Sequence, residues 1–222
     1  MISKPFRRRT CWLLPVLLLI AIPVPAGYKV RPWTPRAIES YPSKLTSEGV
    51  TIAVDPLITD ALAGQVFDKN DMVARGIMPL AIIIFNSNDF PVAIEAAGIE
   101  VLQDDMKIQP VPPEEVAPRI YQGKTSRVAV PSPIPLPRIK ITASNEDAAQ
   151  DFQRKFLGIK KIEPHTTGGG FVFIPVTDPA TLRSRLAPAR VYIPDIYRTD
   201  TGADLIFFEI DLKAAVDAAR KK

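Results

Sequence analysis

Cysteine, histidine and tryptophan are close to absent: the 222 residues include one Cys, one His and two Trp. The single cysteine, Cys11, stands at the N-terminal edge of an apolar run that reaches Ile22. A lipoprotein signal needs its cysteine at the other edge, so Cys11 is not a lipidation site. With that run removed the chain has no thiol, which excludes disulfides, zinc-thiolate centres and cysteine nucleophiles. Stability must then come from packing alone. The lone His165 cannot build a typical zinc site unless three carboxylates join it. Surplus charge is missing as well. The net charge of +4 resides in Lys4, Arg7, Arg8 and Arg9, and the chain beyond residue 26 carries 24 basic and 24 acidic residues. A nucleic-acid partner therefore finds no basic footprint. Gly168-Gly169-Gly170 is no phosphate cradle either, because it leads into a strand and neither a Lys-Thr pair nor a helix start follows.

What is present begins with a leader. A cationic head, an apolar run from Cys11 to Ile22 and Val24-Pro25-Ala26 before Gly27 are the three parts of a secretory signal peptide, predicted over residues 1–26. The apolar stretch of about 16 residues, interrupted by Pro15 and Pro23, is short against the roughly 20 needed to span a bilayer, which favours cleavage. An uncleaved leader would instead hold the body near the membrane through residues 11–26. Arg8-Arg9 is a poor twin-arginine match, since Cys11 and Trp12 follow where a Phe-Leu pair is preferred. Residues 27–48, with Pro32, Pro35, Pro42 and Trp33, read as a proline-containing tether that could reach on the order of 60 Å if extended.

Residues 49–222 form the body, organised around Gly76 to Leu102. Leu80 to Phe85 is an unbroken apolar strand, Asn86 to Asp89 supplies turn chemistry, and Val92 to Ala96 and Ile99 to Leu102 follow as shorter strands. Ahead of them Val50, Ile52 and Val54 alternate with smaller residues up to Asp55-Pro56, and Thr59 N-caps a short helix to Phe67. Because Leu80 to Phe85 is apolar on both faces, that strand must be covered on both. A helix opens at Pro112-Pro113-Glu114-Glu115 and runs to about Tyr121. A second starts near Ser144, with Ala148, Phe152 and Phe156 on one stripe and Gly158 expected as its C′ residue. Lys160 to Pro164 returns to strand, His165 to Gly170 reads as a flexible turn, and Phe171 to Val176 is a strand. Leu182 and Leu186 mark another short helix after Asp178-Pro179. The last hairpin turns at Thr199 to Gly202, and an Ala-rich helix from Lys213 closes the chain, ending in the basic tail Arg220-Lys221-Lys222. About eight strands in antiparallel order, with a helical, proline-rich insertion near 112–158, predict a mainly β, immunoglobulin-like antiparallel sandwich.

Two segments carry a resemblance. IIIFNSNDFPVAIEAAGIEVLQDD and IEPHTTGGGFVFIPV, the latter at 162–176, are similar to segments of immunoglobulin-like domains of uncharacterised exported bacterial proteins and lipoproteins. The departures are His165, where that family usually has Gly, and the missing lipobox cysteine. The resemblance implies fold and compartment and brings no functional residue with it.

No catalytic, cofactor-binding or metal-binding residue is assigned. Asp200 and Asp204 flank a turn that favours Asp for its own backbone hydrogen bonds. Asp195 falls by parity on the buried face of Val191 and Ile193 and would need a partner such as Arg198. The predicted partner-binding stretch is Val128 to Arg138, in which Pro131, Pro133, Ile134, Pro135, Leu136 and Pro137 hold the backbone extended before anything binds. The predicted function is a non-catalytic exported binding or structural module whose partner is an unidentified envelope protein. Two alternatives stay open: an assembly or lipid-associated factor using the apolar insertion, and a metal-dependent hydrolase gathering His165 with Asp195 or Glu163.

Overall fold

A computed structural model describes residues 28–121 and 143–219. They form two antiparallel sheets facing each other, with helices over the outer side of one. The first sheet has the order β1 (Ser43–Ser47), β2 (Val50–Pro56), β3 (Ile77–Asn86) and β8 (Thr167–Pro175). The second has the order β6 (Met106–Ile108), β5 (Glu100–Gln103), β9 (Arg190–Arg198), β4 (Val92–Glu95) and β7 (Ile159–Ile162), with β10 (Asp204–Asp211) on the other edge of β9. Five α-helices among the described residues complete the fold: α1 (Asp60–Val66), α2 (Pro113–Tyr121), α3 (Ala143–Lys155), α4 (Leu182–Leu186) and α5 (Lys213–Ala219). The expected mainly β antiparallel sandwich is observed, with ten strands among the described residues.

Strand β3 shows why the layers assemble this way. Side chains alternate along a strand, so an apolar run presents two greasy faces and both must be covered. Met78, Leu80, Ile82 and Ile84 enter a core with Ile94, Val191, Ile193, Phe208 and Ile210 of the second sheet. Ile77, Ala81 and Ile83 enter a second core on the opposite side, with Phe67, Val116, Ile120, Phe152, Phe171 and Phe173. Four phenylalanines knit this outer core: Phe67 lies 5.2 Å from both Phe152 and Phe171, and Phe152 lies 5.8 Å from Phe173. Full burial of each such side chain contributes roughly 1.5–3 kcal/mol. Local chemistry agrees with the layers. Thr59 accepts the Leu62 N–H as the N-cap of α1, and Ala148 and Phe152 of α3 are both fully buried.

Four expectations are corrected. Residues 28–48 are not a free tether: β1 pairs with β2, Ile38 and Tyr41 are buried, and the Trp33 ring sits 4.6 Å from Phe171. The prolines keep most of this segment out of the sheets, but Trp33, Ile38 and Tyr41 find apolar surface that would otherwise face water. The glycine run is not a turn. Gly168, Gly169 and Gly170 lie in β8 opposite Ile84, Ile83 and Ile82. A Cβ on Gly170 would stand 2.6 Å from Leu157 Cα, so glycine is present there for close backbone approach rather than for flexibility. Gly158 is not the helix cap, because α3 ends at Lys155 and Phe156 already bridges to Phe171. Finally, strict parity fails in β9. Its register against β10 slips between Ile193 and Ile196, so that Ile196 returns to the buried face after Ile193. The leader, Val128 to Arg138, the Arg220–Lys222 tail and the side chains of Ser144 and Asp195 lie outside the described residues.

Candidate functional site

Two hollows and one buried polar knot stand out among the described residues, and they differ in how their charges are matched. The larger hollow is an open cleft of about 510 Å³. One wall is the turn Ala96–Gly98 between β4 and β5, another is Gln109–Glu114 leading into α2, and the third is Gln153, Phe156, Gly158 and Ile159 at the end of α3 and the start of β7. It exists because the sheet edge is interrupted. Pairing of β4 with β7 stops at Glu95 opposite Ile159, and pairing of β5 with β6 covers only Val101 to Gln103. Ala96 N–H still donates to Gly158 O at 2.7 Å and Ile99 N–H closes the turn on Ala96 O at 3.2 Å. Among the described residues no hydrogen-bond acceptor meets the N–H of Ala97 or Gly98.

Among the described residues the lining is apolar with carboxylates and no cation. Pro110, Val111, Pro112, Pro113, Phe156 and Ile159 supply the apolar part, and Ile159 is 68% exposed. Glu95 and Glu114 are exposed, and neither forms an ion pair among the described residues. Among the described residues the lining includes no Lys, Arg or His. Glu114 also sits in the first turn of α2, where the helix dipole favours an acid.

The second hollow, about 390 Å³, lies under the N-terminal segment and includes Trp33, Arg36, Tyr41, Asp55 and Phe171. Its charges are matched internally: Arg36 reaches Asp55 at 3.0 Å while its guanidinium lies 4.6 Å from the Tyr41 ring centroid.

The polar knot centres on Asp151, which is 1% exposed. Lys155, one turn on in α3, donates to it at 2.7 Å, and Tyr28 O–H donates at 2.6 Å. Lys155 also donates to Val66 O at 2.8 Å and lies 4.9 Å from the Phe67 ring centroid. Burial pulls the Lys155 ammonium below the ordinary lysine range, with the Asp151 hydrogen bond opposing that shift. Burial, and then the hydrogen bond to Asp151, push the Tyr28 phenol far above its ordinary value. Tyr121 is pushed up to about 12 by burial and by the nearby charges of Asp68, Asp71 and Asp151. Around this knot Arg31 pairs with Asp68 at 2.8 Å, and Asp71 is held by Lys69 and Arg75. The knot ties the N-terminal segment to α3 and α1 and is spent on architecture.

The residues named from sequence are placed as follows. Pro131, Pro133, Ile134, Pro135, Leu136 and Pro137 fall outside the described residues. His165 is exposed, has a φ of 56°, and meets Asp89 Oδ1 at 2.9 Å. Glu163 is exposed and pairs with Lys161 at 2.9 Å, so the structure brings no hydrolytic pair of His165 with Glu163 together. Arg198 grips Asp200 through two hydrogen bonds of 3.0 and 2.7 Å and stacks 3.8 Å from the Phe90 ring centroid. Glu95, Glu114 and Ile159 were not singled out from sequence. The one available signal was the short polar-small stretch between two apolar strands, followed by the Pro110-Val111-Pro112-Pro113 run.

These features define an antiparallel β-sandwich with a helical outer layer and an acidic, apolar cleft at an interrupted sheet edge. No protein-family model matches the chain, and no curated protein does. Among solved structures it is similar to a protein described as a lipoprotein (ycdA) from Bacillus subtilis subsp. subtilis str. 168, with a TM-score of 0.37 and 11% identity. The match covers 82% of this chain and 42% of that one, so this chain spans less than half of that structure. No residue role is taken from it.

Proposed function

We propose that the chain is an exported, non-catalytic binding module of the cell envelope, whose partner docks in the cleft beside Ala96–Gly98. The observation that carries the reading is the mismatch of charge there: Glu95 and Glu114 face an apolar hollow that holds no cation among the described residues that line it. At Asp55, in the second hollow, and at Asp151, in the outer core, a neighbouring cation answers the acid. Export rests on the three-part leader of residues 1–26. An immunoglobulin-like assignment rests on the two resembling sequence segments together with the antiparallel sandwich.

The test is site-specific photo-crosslinking in cells, with a photoreactive residue at Ala97 and, as control, at Thr201 in the far hairpin turn. The expected result is recovery in the envelope fraction with a discrete adduct from position 97 and none from 201. Cytoplasmic recovery, or the same adducts from both positions, overturns the proposal. Mass spectrometry of the N-terminus shows whether the chain starts at Gly27 or keeps its leader.

A further inference from the structure

We infer that the cleft takes an extended peptide segment carrying lysine or arginine beside apolar side chains, added along the interrupted edge between β7 and β6. This rests on the binding reading above and names its ligand class. Three independent features of the cleft meet that class. First, the edge supplies backbone: Ala97 and Gly98 are exposed, and among the described residues their N–H groups have no acceptor. Ala97 and Gly98 are the central residues of the turn in the gap, so carbonyls of an extended segment crossing the gap accept from them, and main-chain bonds then give affinity while side chains give specificity. Second, the rim supplies charge: Glu95 and Glu114 have no cationic partner among the described residues, so a cationic side chain finds acceptors without displacing an existing ion pair. Third, the walls supply apolar contact: Phe156, Val111, Pro112 and the 68% exposed Ile159 stand beside the open edge. An open trough of this kind matches a chain passing through rather than a compact ligand enclosed on all sides.

The order of importance of the two acids follows from their settings. Glu114 already answers the positive end of α2, whereas Glu95 lies on β4 beside the open edge with no such call on its charge. Glu95 is therefore the stronger seat for the cation.

The experiment measures binding of the blocked peptide Ac-Val-Lys-Leu-Lys-Val-NH2 to the full-length protein by calorimetry. It is compared with the Glu-for-Lys version, with a version N-methylated at the central residue, and with spermidine. Amide chemical shifts of Ala97, Gly98 and Ile159 locate the site. The expected result is preference for the Lys peptide by about tenfold, the factor that one charge-assisted hydrogen bond gives. A further expectation is a loss of similar size in Glu95→Gln, a smaller one in Glu114→Gln, and weakening by N-methylation. Equal binding of the Lys and Glu peptides, or shifts confined to other residues, overturns the inference. Full competition by spermidine with no effect of N-methylation overturns it in favour of a polyamine site. If the Lys peptide fails to bind while position 97 still gives its adduct in cells, the ligand class is wrong and the binding module stands. If both fail, the binding reading falls with it.

Discussion

Asp151 and Glu95 are both carboxylates, and the molecule treats them in opposite ways. Asp151 is sealed under Tyr28 and one turn from Lys155, and both donate to it. Glu95 is left on an open edge with no partner among the described residues. A charge taken out of water must be answered inside the protein or the fold loses several kcal/mol, whereas a solvated charge is free to wait for something else. The knot is thus a fastening and the cleft a surface in reserve, although both are acids set among apolar residues.

The sharpest way to break the comparison is to remove the platform both regions share. Ile83→Asp, on the helical side of β3, and Ile84→Asp, on the inter-sheet side, each bury an unpaired carboxylate. Each should unfold the protein, since the cost of several kcal/mol stands against a total of about 5–15. Circular dichroism and solubility check this, and a folded variant of either kind shows that one face of β3 is not enclosed.

Next in size is the fastening itself. Asp151→Ala leaves Lys155 buried without its carboxylate and should cost about 3–5 kcal/mol in urea unfolding. The double variant Asp151→Leu with Lys155→Met removes both charges and should recover most of that loss. If the single and double variants are equally unstable, the knot does not work as a matched pair.

The pH response follows from the same group. Tyr28 and Tyr121 both have folded-state values above the ordinary phenol range, so their contributions are intact below about pH 10. Above that the unfolded chain sheds protons that the folded chain keeps, and stability falls as pH rises toward 12. Lys155, lowered by burial, works in the opposite sense, because the unfolded state then binds the extra proton. Two groups against one leave a net decline, visible as a falling urea midpoint between about pH 10 and 12, and Tyr28→Phe should flatten it. A midpoint that rises over that range would show that Lys155 dominates.

The smallest effect belongs to the cleft. Glu95→Gln should shift stability by no more than about 0.5 kcal/mol, as expected of a surface position free of structural partners. A melting temperature that falls by several degrees would place Glu95 in the architecture and erase the contrast with Asp151.

Much of the strand and helix pattern was legible along the chain because it depends on neighbours in sequence. The Leu80–Phe85 part of β3, the Thr59 cap and the Pro113 helix start follow from the apolar run, capping chemistry and the fixed φ of proline. The candidate site was not legible in that way. The alternating prolines point to Pro131–Pro137, whereas the cleft consists of three segments brought together from Glu95–Ile99, Gln109–Glu114 and Gln153–Ile159. Its defining property, acids without cations, is a statement about which residues are not adjacent in space, and spacing along a chain does not contain it.

The sequence by itself determined that β3 must be covered on both faces, that no thiol lies beyond Cys11, and that the body is an antiparallel β structure. Those are consequences of side-chain type and of the two-residue period of a strand. Only the tertiary structure decided what covers the second face, namely the Phe67–Phe152–Phe171–Phe173 cluster under α2 and α3, with Trp33 drawn in from a segment that reads as a tether. It also decided that Gly168–Gly170 is a strand pressed against its neighbours, and that the edge opens at Ala97. The reason is common to all of these: apolar burial is non-directional, so composition states how much surface must be hidden, while the identity of the partner depends on which segments can reach it.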